Sequence, residues 1–141
     1  MEKAGVALRF VAILIDAAVL VAAGIGIALL TGGVYKESAN GMTSVRFELD
    51  GGPFLVWVLF GFAYYIAFEA IAGVTVGKAL VGIRVVREDG SPIGWGASLV
   101  RNLLRLVDFP VFYLVGALSA WSSPKGQRVG DRAAHTLVVR A

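Results

Sequence analysis

The chain has no cysteine, which excludes disulfides, thiol nucleophiles and cysteine-ligated metal sites. A single histidine leaves too few nitrogen ligands for a zinc centre. Charge is scarce as well: Asp, Glu, Lys and Arg make up 16% of the 141 residues, against 57% hydrophobic. Soluble domains carry roughly a quarter charged residues, so the composition points to a membrane protein of one domain's length. The net charge of +3 does not indicate nucleic acid, because the basic residues flank apolar segments and form no soluble basic face. Topology and anionic lipid account for them better.

What is present is a set of long apolar runs. About 20 apolar residues cross a bilayer, and residues 4–30 and 53–73 each qualify. Met1-Glu2-Lys3 before the first run imitates a signal peptide, but Asp16 interrupts its apolar centre, so the segment reads as a retained helix. Ala18, Ala22 and Gly26 recur at four-residue spacing and predict a seam that another helix approaches closely. Trp57, Tyr64 and Tyr65 read as interfacial aromatics.

The polar stretch 31–52 separates the two helices. Within it, Asn40-Gly41 between two β-prone runs predicts a tight hairpin. In the loop 74–96, Ile83 to Arg87 is β-prone and Asp89-Gly90 is a turn signal. The segment from His135 to Val139 is a similar strand that can pair with it. Residues 97–121 are amphipathic and then apolar, joined by Asp108-Phe109-Pro110, where proline disfavours a continuous helix. The basic residues of the loop and of the tail 122–141 both belong in the cytoplasm by the positive-inside rule, which predicts a broken or re-entrant element at 97–121. A single crossing there is the alternative.

Charges inside apolar segments mark the candidate functional residues. An ionisable group at a helix centre costs about 2.5–3.5 kcal/mol on insertion scales and persists where it has a partner or a task. Arg9 and Asp16 are seven residues apart, so they share a helix face about 10 Å apart along the axis and cannot pair directly. Arg101, Arg105 and Asp108 form one stripe. The expected pairs are Asp16 with Arg101 or Arg105, and Asp108 with Arg9. Two readings are open: structural salt bridges and headgroup-seeking arginines, or an ion and proton pathway in which Asp16 titrates. Glu69 near the end of the second helix reads either as solvated at the interface or as part of the bundle. Asp131 and Arg132 lie in a capped turn after the last apolar run, and His135 reads as a surface residue.

The run from Gly73 through Gly77-Lys78 to Ala79 imitates a phosphate loop. Its glycine spacing is one residue short, and Ala79 replaces the hydroxyl that would hold magnesium. With no other catalytic motif, no enzyme activity and no cofactor are expected.

Together these pieces resemble the RDD family of bacterial membrane proteins. They are Arg9 with Ile15-Asp16, then Thr75 to Val86 with Gly77, Lys78, Gly82 and Arg84, and Asp89-Gly90. Arg101-Asn102 with Asp108 and the run from Gln127 to Val139 complete the set, with His135 where glycine is commoner. The resemblance implies transport, with cation/proton antiport proposed for some members, and puts the namesake residues on Arg9, Asp16 and either Asp108 or Asp131. The expectation is an all-α inner-membrane protein, a single domain over 1–141, with two full transmembrane helices, the broken third element and a small cytoplasmic strand pair. Both termini are cytoplasmic and the chain forms a homo-oligomer. It carries a small cation or polar solute, or else acts as an accessory or scaffold subunit binding lipid or a partner protein.

Overall fold

The computed structural model describes residues 2–107, 127 and 129–141. The break expected at Asp108-Phe109-Pro110, and with it the second half of the 97–121 segment, lies outside the described residues. The chain divides into two compact units, Met1–Asp16 with Phe62–Ala141, and Ala17–Gly61.

Both long apolar runs are helices, α1 over Val6–Thr31 and α2 over Gly52–Ala72. Only 17% of the apolar window of each is buried within the chain. The central helix of a soluble protein would be mostly covered, and these two are not. Phe10, Leu14 and Ile71 are 55%, 53% and 74% exposed.

In the Ala17–Gly61 unit, the run between the helices forms a hairpin of β1 (Val34–Ala39) and β2 (Met42–Phe47). Its register pairs Val34 with Phe47 and Ala39 with Met42. Asn40 and Gly41 supply φ of 52° and 77°, the two positive values a twisted two-residue turn demands. The Trp57 indole N–H donates to the Leu20 carbonyl at 2.8 Å, and so ties α2 to α1. A Cβ on Gly24 would stand 3.1 Å from that indole nitrogen. The predicted small-residue seam is therefore corrected. Ala18 and Ala22 are exposed, while the buried row of α1 is Ala12, Asp16, Gly24 and Ala28. Four-residue spacing recurs in both rows, and residue size alone does not say which one faces a neighbour.

The other unit is organised around a second two-stranded sheet, β3 (Ile83–Arg87) with β4 (Thr136–Arg140). Ile83, Val85 and Val138 point inward with Ala4, Ala12 and Ile93, as period-two alternation requires. The start of the chain joins this sheet: the Ala4 N–H donates to the Val138 carbonyl at 3.0 Å and the Arg140 N–H to the Glu2 carbonyl at 2.9 Å. Two short helices, α3 (Val76–Leu80) and α5 (Val129–Ala133), flank the sheet, and α4 (Gly94–Val107) leads away from it. The Ser98 hydroxyl pins α4 to the Ile66 carbonyl of α2 at 2.8 Å. His135 takes φ 51°, a left-handed conformation that costs glycine least.

Candidate functional site

Asp16 is 1% exposed, one turn beyond Ala12 on the buried row of α1. Its Oδ1 accepts from the Tyr64 hydroxyl and from the Gly77 N–H, both at 2.8 Å, and its Oδ2 from the Thr75 hydroxyl at 2.6 Å. Thr75 also caps α3, its hydroxyl accepting from the Lys78 N–H. The stretch that imitates a phosphate loop thus does cradle an anion, and the anion is the chain's own carboxylate. Gly77 is required by this approach, since a Cβ there would collide with the Ala12 carbonyl oxygen.

Two expectations change here. Asp16 takes no arginine partner among the described residues; its charge is satisfied by two hydroxyls and one amide, which α3 and the middle of α2 deliver at closer range. Tyr64, read as an interfacial aromatic, is buried and uses its hydroxyl twice, donating to Asp16 and accepting from the Val76 N–H at 3.0 Å.

The arginines gather elsewhere. Glu69, also 1% exposed, receives Lys78 on Oε1 and the Arg101 Nε on Oε2, the latter at 3.2 Å. The Asn102 amide adds a bond to Oε2 at 3.3 Å. Arg101 continues to the Asp131 Oδ1 at 2.6 Å, and the Asp131 Oδ2 lies 3.6 Å from Arg9. The result is a chain of alternating charge, Lys78, Glu69, Arg101, Asp131 and Arg9, which begins and ends on a cation. Each member is held by a separate element: α3, α2, α4, α5 and α1 in that order.

Secondary bonds keep the members in place. Arg9 also donates to the Ala4 and Val138 carbonyls, at 3.2 and 3.3 Å, which locks it to the sheet. Arg101 donates to the Thr136 hydroxyl at 2.5 Å. The Gln127 amide bridges Glu88 and the Thr136 carbonyl, at 2.8 and 3.0 Å. Arg105 stacks on Tyr65 with its guanidinium carbon 4.0 Å from the ring centre, a cation–π contact. Burial lowers the Lys78 pKa from the ordinary lysine value, and Glu69 opposes that shift. Buried ion pairs recover only part of their desolvation cost, and removing one partner is far more damaging than never having built the pair.

Beside this chain lies a cavity of about 50 Å³. Arg9, Glu69, Lys78, Arg101, Arg105 and Asp131 supply its charged wall among the described residues, with Ile13 and Val138 among its apolar contributors. That volume exceeds the roughly 10–15 Å³ one water requires.

The structure therefore brings together Arg9, Arg101, Glu69 and Asp131, with Arg105 on the same cavity, and sets Asp16 apart in its own cradle. Arg132 is exposed, and Asp108 lies outside the described residues. Lys78, Asn102, Thr75 and Thr136 enter the sequence reading as pieces of the resemblance and not as candidate site residues, although all four are buried and bonded to the charged groups. Lys78 had one available signal: it sits nine residues after Glu69, across a Gly73 turn short enough to bring the two together.

No match emerges to a curated protein or to a solved structure. The model of the RDD family matches residues 3–135, a span that holds every member of the ionic chain and the Asp16 cradle. Together with two apolar helices that the chain leaves uncovered, this points to a membrane protein. The chain belongs to the RDD family.

Proposed function

We propose that this is a multi-pass inner-membrane protein of bacteria that moves a small charged solute, with the cavity beside the ionic chain as the solute site. The observation that carries the reading is an alternating row of five charges, four buried and Arg101 partly so, alongside a space large enough for a small ion or several waters. An entering ion can compete for members of that row: a cation with Lys78 for Glu69, or an anion with Glu69 for Lys78. Proton coupling follows from the same pair, because whichever partner is displaced can lose or gain a proton. Cation/proton antiport is one form of this exchange. Asp16, the exchangeable group expected from the sequence, sits in its own cradle, whereas Glu69 and Lys78 line the cavity, so we assign exchange to Glu69 and Lys78 and a positioning role to Asp16.

The strand pairing supports an even number of crossings. Residues before α1, the strand after α2 and the tail strand share one sheet, so they lie on one side of the bilayer. That side carries Lys3, Arg84, Arg87 and Arg140, whereas the β1–β2 hairpin carries Lys36 and Arg46, so the positive-inside rule puts the sheet and both termini in the cytoplasm. Two crossing helices do not enclose a path alone, and a homo-oligomer is part of the reading.

The test is flux in proteoliposomes. Purified protein is challenged with Na⁺, Li⁺ and K⁺ salts while a dye reports internal pH, for wild type, Glu69→Gln and Asp16→Asn. Flux in wild type that disappears in Glu69→Gln is expected. Absence of any flux from folded, correctly oriented wild type would overturn transport and leave a lipid- or partner-binding role.

A further inference from the structure

The α4 helix is amphipathic in the reverse sense to a helix on the surface of a soluble protein. Its polar side chains face the protein: the Ser98 hydroxyl donates to the Ile66 carbonyl at 2.8 Å, and Arg101 and Asn102 bond Glu69 at 3.2 and 3.3 Å. Arg105 stacks on Tyr65. All of these partners belong to α2. At about 100° per residue the four polar groups gather on one side of α4, and Trp95, Leu99, Val100 and Leu103 gather on the other. Each of those four is exposed. A surface helix in water buries its apolar stripe and solvates its polar face, so an apolar face turned outward calls for an apolar neighbour.

The same contacts fix a depth. With 21 residues, α2 is about 31 Å long, close to the roughly 30 Å of a bilayer's hydrocarbon. Ile66 lies six residues before the end of α2 at Ala72, so α4 meets α2 about 9 Å inside that end. The 14 residues of α4 extend about 21 Å, too short to cross. Trp95 follows closely on Ile93, which packs into the sheet core. The indole therefore stands at the sheet end of α4, as suits an aromatic at the membrane boundary. Among the described exposed residues of α4, Gly96 is the one small side chain. Helix pairs in membranes meet through small or hydrogen-bonding residues, so this bulky hydrocarbon face fits acyl chains better than a second helix.

On the reading of α2 as a membrane-crossing helix, we infer that α4 is embedded in the leaflet on the sheet's side of the bilayer. Its Trp95, Leu99, Val100 and Leu103 face contacts lipid acyl chains, and its polar face screens Glu69 from the hydrocarbon.

The chain has no cysteine, so single cysteines carry a nitroxide label in proteoliposomes of the full-length protein. Leu99→Cys and Leu103→Cys sample the outer face of α4. Leu59→Cys samples the exposed surface of α2, and Asp89→Cys the exposed turn after β3. Collision of each label with oxygen, which concentrates in acyl chains, is compared with collision with a neutral nickel chelate, which stays in water. Oxygen should dominate at Leu99, Leu103 and Leu59, and the chelate at Asp89. Dominance of the chelate at Leu99 and Leu103, with oxygen still dominant at Leu59, would overturn the lipid contact of α4 and leave the crossing of α2 intact. Loss of both collisions at Leu99 and Leu103 would reveal protein cover, by the rest of the chain or by a second copy, and would overturn it equally. Dominance of the chelate at Leu59 as well would remove the membrane reading on which the inference rests.

Discussion

Asp16 and Glu69 are buried to the same extent, each 1% exposed, and are stabilised in opposite ways. Asp16 is held by neutral donors, two hydroxyls and a backbone amide. Glu69 is held by two cations and an amide side chain. Neutral dipoles satisfy a carboxylate at short range and fix geometry; they lock α1 to the start of α3. Cations satisfy it by charge and need balancing in turn, which is why the row extends through Arg101 to Asp131 and Arg9. One buried acid is a fastener and the other belongs to an electrostatic row whose members come from five elements.

The sharpest way to break this contrast is to neutralise Glu69. Glu69→Gln leaves Lys78 buried without its counter-charge and Arg101 with Asp131 alone, and should cost about 3–5 kcal/mol, read by denaturant or thermal unfolding in detergent. Removing the lysine as well, in Glu69→Gln with Lys78→Met, should restore a large part of that loss. Failure to recover would mean that the pair is not energetically coupled. On the other side of the comparison, Thr75→Val deletes one bond to a charged acceptor and the α3 cap, and should cost about 1.5–3 kcal/mol. If it costs more than Glu69→Gln, the ranking of the two sites is reversed.

Gly77→Ala probes the fastener by shape alone. The added methyl meets the Ala12 carbonyl oxygen, and the strain should amount to about 1–3 kcal/mol, read by thermal unfolding. The smallest effect comes from an exposed acid that serves as a control for the two buried ones. The Asp89 pKa is lowered from its ordinary 3.8, chiefly by the hydrogen bonds from the Ser91 hydroxyl and N–H. A folded-state pKa below the unfolded one gives stability that is present above about 3.8 and lost as pH falls through the lower, folded value. Asp89→Asn should flatten the stability profile slightly in that acidic window and leave neutral pH unchanged; a change at neutral pH would show a structural role.

Much of the architecture was legible because it rests on local signals. Two runs of bilayer length became α1 and α2, and Asn40-Gly41 became the hairpin turn because both residues tolerate positive φ. The β-prone run Ile83–Arg87 paired with the tail strand. The site was legible in part: uneconomical charges in apolar segments led to Arg9, Arg101 and Glu69, all of them in the ionic row. Asp16 was found for the same reason but matched with the wrong partners. Helical spacing says which side chains share a face, yet hydroxyls such as Thr75 and Tyr64 look ordinary until the fold carries them to a carboxylate. Lys78 was passed over similarly, its spacing from Glu69 across the Gly73 turn being the one signal it offered.

From the sequence alone came the class of protein, the two apolar helices, the β1–β2 hairpin, the β-prone runs that became β3 and β4, and the positions where charge is costly. Those properties follow from composition, periodicity and local turn chemistry, which act over a few residues. Tertiary structure alone decided which charge meets which. The alternating row draws its five members from α1, α2, α3, α4 and α5, and two buried carboxylates of equal depth acquired different characters because one was folded against hydroxyls and the other against cations. Electrostatic pairing depends on distances of a few ångströms between residues far apart in the chain, and only the folded backbone sets those distances.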